Sequence, residues 1–243
     1  MKKDYFAGRA AEEYDNSQSP MFSEEVVSST VDFMVDMANG GKALEFGIGT
    51  GRIGLPLHQR GVPVSGIELS PDMVAQLRQK PGSEDIEVAI GDFANTRVDD
   101  TFTLAYLVFN TISNLTTQDE QVECFRNAAT HLEKGGCFVI EVGVPELRQL
   151  YPGHNSRVFG YTETHVGIDE FDIVNQGLVS HHYTIRNGEG RLHSIPFRYA
   201  FPAEFDLMAR IAGMKLRDRW SEWDYSPFTA DSKKHISVWE KVS

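Results

Sequence analysis

A glycine-rich loop and three carboxylates are the residues best suited to binding a ligand. Glu45 lies two positions before the loop 47–51, in which glycine alternates with other residues, and Glu68 and Asp92 follow later in the chain. Glycines let the backbone turn sharply and let a ligand approach without interference from Cβ atoms. Glu45 lies inside an apolar run, where an unpaired carboxylate is costly. Its charge therefore favours a cationic ligand, or pairing with an Arg or Lys of the fold.

Each of these groups follows or ends a short apolar segment typical of a β-strand. From about residue 22 to residue 142 such segments alternate with segments of helical periodicity. This alternation predicts right-handed crossovers and a parallel sheet covered on both faces. The carboxyl ends of its strands share one edge, so we expect the three carboxylates to lie close together. The predicted strands are Lys42–Phe46, Val62–Leu69, Ile86–Ile90, Thr103–Phe109 and Cys137–Val142.

Capping and stop signals delimit the helices between these strands. Ser70-Pro71-Asp72 has the residue types of an N-cap, a first-turn proline and an acidic first turn, and predicts a helix to about Lys80. Two glycine pairs, Gly40-Gly41 and Gly135-Gly136, are expected to end the helices that precede them. The other predicted helices are Ser23–Met37, Arg52–Arg60 and Gln118–Leu132.

The glycine loop alone leaves two classes of nucleotide-like ligand open. Residues 49–54, with glycine at Gly49, Gly51 and Gly54, match the dinucleotide-binding fingerprint of an NAD-dependent oxidoreductase. The register of that match is poor, because the turn already begins at Gly47, directly after the strand. An oxidoreductase also gives Glu45 no role.

Three successive strands ending in acidic residues favour an adenosyl ligand. An acidic residue at the end of the second strand, such as Glu68, accepts hydrogen bonds from ribose hydroxyls. Asp92 follows the third strand, where its carboxylate is placed to accept from an adenine amino group with Phe93 against the ring.

The segment Glu45-Phe46-Gly47-Ile48-Gly49-Thr50-Gly51, with Glu68 and Gly91-Asp92-Phe93, resembles the motif set of class I S-adenosylmethionine (SAM)-dependent methyltransferases. The resemblance extends over about residues 40–142. It implies an α/β fold with a Rossmann-like, seven-stranded, mostly parallel sheet, helices on both faces and an antiparallel last strand. It also implies SAM as cofactor and S-adenosylhomocysteine as product.

The same resemblance assigns the cofactor contacts. Glu45 and the glycines line the methionine end of SAM, Glu68 holds the ribose, and Asp92 with Phe93 reads the adenine amino group. The segment 11–15 resembles a lid whose Tyr reaches the SAM carboxylate. The implied cofactor residues are Tyr14, Glu45, Gly47, Gly49, Gly51, Glu68, Leu69, Met73, Asp92, Phe93, Phe109 and Asn110.

The pattern changes after Val144 to β-forming residues without a convincing helix. Asn187-Gly188 is a strong hairpin signal, and the odd positions of His193–Phe201 give one largely aromatic face. We expect an antiparallel insertion of about four strands over 156–201. This insertion resembles, more loosely, that of the N-methyltransferases that act on nucleotide-linked aminosugars. A helix over Pro202–Ala212 and a closing antiparallel pair, Met214–Trp220 with His235–Lys241, are expected to follow.

The insertion is the expected location of a small-molecule acceptor. Methyl transfer needs a nucleophilic nitrogen or oxygen held in line with the activated carbon, and a general base only where the nucleophile carries a tightly held proton. Histidines in the insertion are candidate bases, although each is more often a surface or packing residue. These candidates are His165, His181, His182 and His193.

Composition limits the partners. The 243 residues carry a formal net charge of −12, which repels phosphate backbones, so we expect neither nucleic acid nor an anionic membrane as a partner. Cys124 and Cys137 have no ligand-like spacing, so neither a metal site nor a disulfide scaffold is expected. The segment 1–6 is followed by charged residues, so a signal peptide is not expected and a cytoplasmic location is.

Four parts are expected along the chain. They are a helical lid over 1–40, a SAM-binding Rossmann-like core over 41–145, an antiparallel insertion over 146–202 for acceptor binding or oligomerisation, and a last helix with the closing strand pair over 203–243. Trp220, Trp223 and Tyr225 are expected to border the site or to pack a homodimer. A SAM-binding protein without catalytic turnover is a further alternative, since its cofactor domain has the same sequence pattern.

Overall fold

A seven-stranded sheet forms the centre of the protein. The structure, a computed structural model, describes residues 3–17, 19–186 and 188–242. Its strands are β1 Ala43–Phe46, β2 Val64–Glu68, β3 Glu87–Ile90, β4 Phe102–Leu107, β5 Leu132–Gly143, β10 Met214–Trp220 and β11 Lys234–Lys241, with β6 to β9 in the insertion described below. The strand order is β10-β11-β5-β4-β1-β2-β3, with β11 antiparallel to both neighbours and the other pairs parallel.

Helices cover both faces of this sheet, as the alternating pattern predicted. They are α1 Arg9–Glu13, α2 Glu24–Ala38, α3 Gly54–Gln59, α4 Pro71–Leu77, α5 Gln118–His131 and α6 Pro202–Ile211. Side-chain caps fix several starts: the Ser70 hydroxyl accepts from the Met73 N–H, and Thr117 forms a reciprocal capping box with Glu120. The predicted N-cap of α4 is therefore confirmed, and the helix ends somewhat before Lys80.

Two apolar layers hold the helices to the sheet. One layer includes Phe46, Phe125, Phe138 and Trp239, and the other includes Phe33, Tyr106 and Ile236. β4 lies at the middle of the sheet and is buried along most of its length, a position that suits its continuously apolar sequence. Among the described residues, no helix is both long and apolar enough to cross a membrane.

The four-stranded insertion is confirmed as a second, antiparallel sheet. Its order is β6-β7-β8-β9, with β6 Ser156–Tyr161, β7 His165–Asp172, β8 Gly177–Arg186 and β9 Glu189–Arg198. Arg186 pairs with Glu189 at the β8–β9 hairpin, and Gly188 has a φ of +80°. Of the predicted turn pair Asn187-Gly188, Asn187 lies outside the described residues.

The helix end predicted at Gly135-Gly136 is wrong. Gly135-Gly136 does not end α5, because the helix ends at His131 and β5 begins at Leu132. The two glycines lie within β5, where its register with β4 shifts between the pairs Phe102–Leu132 and Leu104–Cys137. Gly135 adopts a φ of +80° in this irregular segment. Glycine supplies the left-handed backbone both at a helix stop and at some strand irregularities, so the glycine pair alone does not distinguish the two.

Candidate active site

One large cavity lies at the carboxyl ends of β1 to β4, between the parallel sheet and the antiparallel sheet. Its volume is about 810 Å³. All of the cofactor residues expected from the sequence line it except Gly51, and these are Tyr14, Glu45, Gly47, Gly49, Glu68, Leu69, Met73, Asp92, Phe93, Phe109 and Asn110. The sheet edge therefore brings together groups that are far apart in sequence.

The glycine loop bends toward the cavity with left-handed backbone angles. Gly47 has a φ of +72° and Gly49 a φ of +55°. A Cβ atom on Gly47 would lie 2.8 Å from Cγ2 of Thr111, so only glycine fits there without a shift of neighbouring atoms. Gly51 has a packing role, since a Cβ atom on it would collide with Leu77 of α4. The loop thus exposes its backbone on one side and packs tightly on the other.

Glu45 is a buried carboxylate, and no Lys, Arg or His among the described residues forms an ion pair with it. It is 3% exposed, and its Oε2 accepts a hydrogen bond from the Tyr106 hydroxyl at 3.0 Å. Burial raises the pKa of Glu45 to about 8, although the Tyr106 hydrogen bond and the positive charge of Arg52 act in the opposite direction. A cation in the cavity would stabilise the ionised form. The cavity floor is therefore suited to a positively charged ligand.

Glu68 and Asp92 continue the row of acidic side chains along the sheet edge. The two carboxylate oxygens of Glu68 accept from the Gly49 N–H at 2.8 Å and the Ser70 N–H at 2.9 Å. Burial raises the pKa of Glu68 against the effect of these bonds. Oδ1 of Asp92 accepts from the Ala94 N–H at 3.0 Å. Each carboxylate oxygen has two acceptor directions, so Glu68 keeps capacity for a ligand donor.

Phe109 and Asn110 turn sharply after β4 into the cavity wall. Both have left-handed φ angles, +58° and +62°, which are strained for residues with a side chain. The Phe109 N–H donates to Oε2 of Glu141 at 3.0 Å, and Oδ1 of Asn110 accepts from the Gly143 N–H at 2.7 Å. Lys234 lies 2.9 Å from the other oxygen of Glu141. This partly buried ion pair fixes the Glu141 carboxylate that accepts from the strained turn.

The N-terminal segment around Tyr14 packs against the glycine loop, and Tyr14 lines the cavity. The Thr50 hydroxyl donates to Oδ1 of Asp15 at 2.6 Å, and Lys80 lies 2.6 Å from Oδ2 of the same carboxylate. Tyr14 contacts Phe22 edge to face, with 5.4 Å between ring centroids. Asp15 therefore connects the N-terminal segment to two elements of the core.

We expect Asp15→Ala to open this N-terminal segment. The substitution removes one hydrogen bond and one partly exposed ion pair, together worth about 1 kcal/mol. Protease cleavage of a transiently opened segment follows the open population, so the rate of trypsin cleavage after Arg9 should rise about fivefold. Limited proteolysis followed by mass spectrometry measures this rate.

Asp32→Ala is the matched control for this experiment. It removes a more exposed ion pair, with Arg60 at 2.8 Å, on the helix α2 side of the fold. Cleavage after Arg9 should match that of the unchanged protein. Equal cleavage rates in Asp15→Ala and Asp32→Ala would contradict the assigned docking role of Asp15.

Arg52 is a cavity residue that the sequence analysis did not single out. Its guanidinium donates to the Met21 carbonyl at 2.7 Å and lies 5.2 Å from the ring centroids of both Phe22 and Phe109. It supplies a positive charge near the buried Glu45 and next to Tyr14. The sequence signal for a ligand-facing role of Arg52 is its position directly after the last glycine of the loop. The helical pattern places Arg52 only at the start of a helix.

The antiparallel sheet supplies the opposite wall of the cavity. Its lining residues come from all four strands and are Phe159, Asp169, Ser180, His182, Ile195, Pro196 and Phe197. Of the four candidate bases, His182 lies in this wall and His165 lies directly against it. The other two are located elsewhere: His181 bonds to Ser194 on the opposite face of β8, and His193 is exposed.

The aromatic residues after β10 pack within the chain. Trp223 is buried against Phe33 of α2, with 5.2 Å between ring centroids, and the Tyr225 hydroxyl donates to Asp36 at 2.8 Å. Neither residue lines the cavity. In the described parts of the chain no three His, Cys, Asp or Glu side chains are grouped to hold a metal ion.

Comparison with known proteins relates this architecture to methyl-transferring enzymes. Residues 43–136 match the family model of the methyltransferase domain. The cypemycin N-terminal methyltransferase of a Streptomyces species is 27% identical over 214 residues, which cover 84% of each chain.

Solved structures extend the likeness to the whole chain. The CcbJ methyltransferase from Streptomyces caelestis is 32% identical, covers 96% of both chains and superposes with a TM-score of 0.84. SAM-bound CalS10, an amino pentose methyltransferase from Micromonospora echinaspora, shares the fold at 19% identity and a TM-score of 0.68, with complete coverage of both chains.

Proposed function

The chain belongs to the class I SAM-dependent methyltransferases, and on this premise we propose that it methylates a nucleophilic nitrogen or oxygen of a small-molecule acceptor held between its two sheets. SAM-dependent methyl transfer is the activity of the family. One observation supports this proposal most strongly. Glu45, Glu68 and Asp92 line the same cavity as the glycine loop, and the antiparallel sheet forms the opposite wall of that cavity.

The cavity residues fit SAM by charge and by shape. Glu45 supplies a negative charge for the sulfonium and ammonium end, and Arg52 with Tyr14 supplies positive and hydrogen-bonding groups for the carboxylate. Glu68 is proposed to accept from the ribose hydroxyls. Asp92 and Phe93 are proposed to contact the adenine, with Met73 beside it near the Gly49 backbone. The buried, raised-pKa carboxylate of Glu45 is the feature that a neutral ligand would leave unexplained.

When bound, SAM supplies a methyl carbon already activated by a sulfonium. The residues of the chain therefore have to orient the acceptor and exclude water. Phe109 and Asn110 lie at the end of β4, between the glycine loop and the antiparallel sheet, and their strained turn is fixed by Glu141. We propose that this turn sets the direction from which the acceptor approaches.

An amine is the favoured acceptor. Most charged side chains of the cavity wall are acidic, including Asp4, Glu68, Asp92 and Asp169, and an acidic cavity attracts a cationic amine. The relatives named for their substrates act on an N-terminus and on an amino pentose. A neutral amine nitrogen is also a better nucleophile than an alcohol, which would need its proton removed first.

Ligand binding tests the cofactor part of this proposal. We expect SAM and S-adenosylhomocysteine to bind with dissociation constants of about 1–100 μM, equivalent to roughly 5.5–8 kcal/mol, and NAD not to bind. Isothermal titration calorimetry with the three ligands in parallel gives these values. Tight binding of NAD and none of SAM would support a dinucleotide-dependent oxidoreductase instead.

Turnover tests the acceptor part. Formation of S-adenosylhomocysteine is measured with cyclohexylamine, N-methylcyclohexylamine and glucosamine, and with cyclohexanol and glucose as matched alcohols. We expect methylation among the amines and none among the alcohols. SAM binding with methylation of the alcohols alone would overturn the preference for nitrogen.

A further inference from the structure

Two histidines of the antiparallel sheet form a direct nitrogen-to-nitrogen contact. Nε2 of His165 on β7 lies 3.0 Å from Nδ1 of His182 on β8, and the ring centroids are 5.3 Å apart. His182 lines the cavity, whereas His165 is half-buried beside it, on the same face of the antiparallel sheet but outside the cavity lining. The contact is therefore a hydrogen bond between a residue of the cavity wall and a residue outside the wall.

The chemistry of imidazole restricts how this hydrogen bond is made. A neutral ring has one protonated and one unprotonated nitrogen, so exactly one of the two rings donates in this contact. Where Nδ1 of His182 donates to His165, Nε2 of His182 is unprotonated. Nε2 has one weak neighbour, the Ser180 hydroxyl at 3.4 Å, and Ser180 also lines the cavity. In this tautomer His182 presents a proton acceptor at the cavity wall.

We propose that His182 and His165 form a proton relay that carries the acceptor's proton out of the cavity. This inference rests on the proposed methyl transfer to an amine. The bound ammonium passes a proton to Nε2 of His182. The nitrogen lone pair freed in this step forms the bond to the methyl carbon, while the carbon–sulfur bond breaks with its electron pair left on sulfur. The Nδ1 proton of His182 moves to Nε2 of His165, and the Nδ1 proton of His165 is released to solvent. Exchange with solvent restores the starting tautomers.

The groups around His182 keep it available as a base near neutral pH. Burial lowers the pKa of His182, and the neighbouring His165, His193 and His181 lower it further. Asp169 of β7 lies opposite Ser180 on the cavity face, and burial raises the pKa of its carboxyl. The ring of Phe159 packs against His182 with 5.4 Å between centroids, and it covers Gly167, where a Cβ atom would collide with it.

Nitrogen-15 NMR tests the relay without any acceptor. In the ¹⁵N-histidine-labelled protein at pH 7.5, we expect His182 to be protonated at Nδ1 and unprotonated at Nε2, with a scalar coupling across the hydrogen bond to Nε2 of His165. In His165→Gln the coupling must disappear. Protonation of His182 at Nε2 in the unchanged protein, or absence of the coupling to Nε2 of His165, would overturn the relay.

Steady-state kinetics with an amine that the enzyme methylates distinguishes a relay from a purely structural role of the two histidines. We expect His182→Ala to lower kcat about 100-fold and added imidazole to restore part of it. His165→Gln should lower kcat about tenfold and shift its pH profile with little change in KM. His154→Gln, which replaces an exposed histidine ahead of β6, is the control and should match the unchanged enzyme. An unaltered kcat in both His182→Ala and His165→Gln would overturn the relay. If the unchanged protein did not bind SAM, the proposed function itself would be overturned instead.

Discussion

Glu45→Gln is expected to stabilise the ligand-free protein at pH 8.5 and to have little effect at pH 4.5. The folded state holds a proton on Glu45 up to a pKa of about 8, whereas the unfolded chain releases it near 4.5. Between these values folding requires proton uptake, so the stability of the unchanged protein falls as the pH rises toward 8 and is constant above it. The neutral glutamine avoids this loss, which is on the order of 5 kcal/mol. Urea unfolding at a series of pH values measures the difference between the two proteins.

Glu141→Gln is the matched control, because Glu141 is equally buried but paired. Both glutamates are 3% exposed, yet Glu141 contacts Lys234 at 2.9 Å. Removing the charge of Glu141 leaves Lys234 with only its more exposed partner Glu222, so this variant should be destabilised at pH 8.5. If Glu45→Gln and Glu141→Gln were both stabilised at pH 8.5, or if neither were, the lack of a cationic partner would not explain how Glu45 differs from Glu141.

The same substitution is expected to weaken SAM binding. A cationic ligand favours ionised Glu45, so binding to the unchanged protein between pH 5 and 8 must release a proton, and affinity must rise with pH. Glu45→Gln should bind SAM more weakly at pH 8.5 and lack that part of the proton release. Calorimetry in buffers of different ionisation enthalpy measures the proton count. Identical proton release by both proteins would place the sulfonium away from Glu45.

The row of carboxylates was predictable because it depends on local sequence and on one topological rule. Short apolar strands alternating with helices fix a parallel sheet, and the residues that end its strands must share an edge. Glu45, Glu68 and Asp92 therefore come together without knowledge of any contact between them. The N-cap of α4 was equally predictable, since Ser70 bonds to a backbone group three residues away.

The wall formed by the antiparallel sheet was not predictable in the same way. His181 and His182 are neighbours in sequence and point to opposite faces of β8, so one must face away from the cavity. Which face meets the core depends on how the second sheet docks on the first, and no local pattern encodes that docking. The contact of His182 with His165 also depends on the β7–β8 register. The sequence therefore offered four candidate bases without a means of separating them.

The left-handed pair Phe109-Asn110 shows a second limit. The sequence predicted a strand through Phe109, and the structure ends β4 at Leu107. Apolar residues continue to position 109, so hydrophobic periodicity favours a longer strand. The turn is imposed from outside by Glu141 and Gly143 of β5. The sequence of β4 alone does not predict a backbone conformation that contacts from another strand impose. Such contacts occur here at the cavity wall.

Glu68→Ala is expected to weaken SAM binding by about 1–3 kcal/mol, which is a 5- to 150-fold rise in the dissociation constant. The loss has two sources. The ribose hydroxyls lose a charged acceptor, and the Gly49 N–H and Ser70 N–H lose their bonds to the carboxylate, so the glycine loop is less firmly held. Calorimetry with SAM measures the affinity, and thermal unfolding of the ligand-free variant measures the effect on the loop.

Two further variants separate these two sources. Glu68→Gln keeps the shape of the side chain but has one acceptor oxygen, and its amide nitrogen would face one of the two backbone donors, so it should bind SAM almost as weakly as Glu68→Ala. Glu87→Ala removes an exposed glutamate from the adjacent strand β3 and should leave the affinity unchanged. If Glu68→Gln bound SAM as tightly as the unchanged protein, a single acceptor would suffice for the ribose. If Glu68→Ala also kept full affinity, the ribose would have to lie away from the end of β2, and the orientation of SAM along the sheet edge would be reversed.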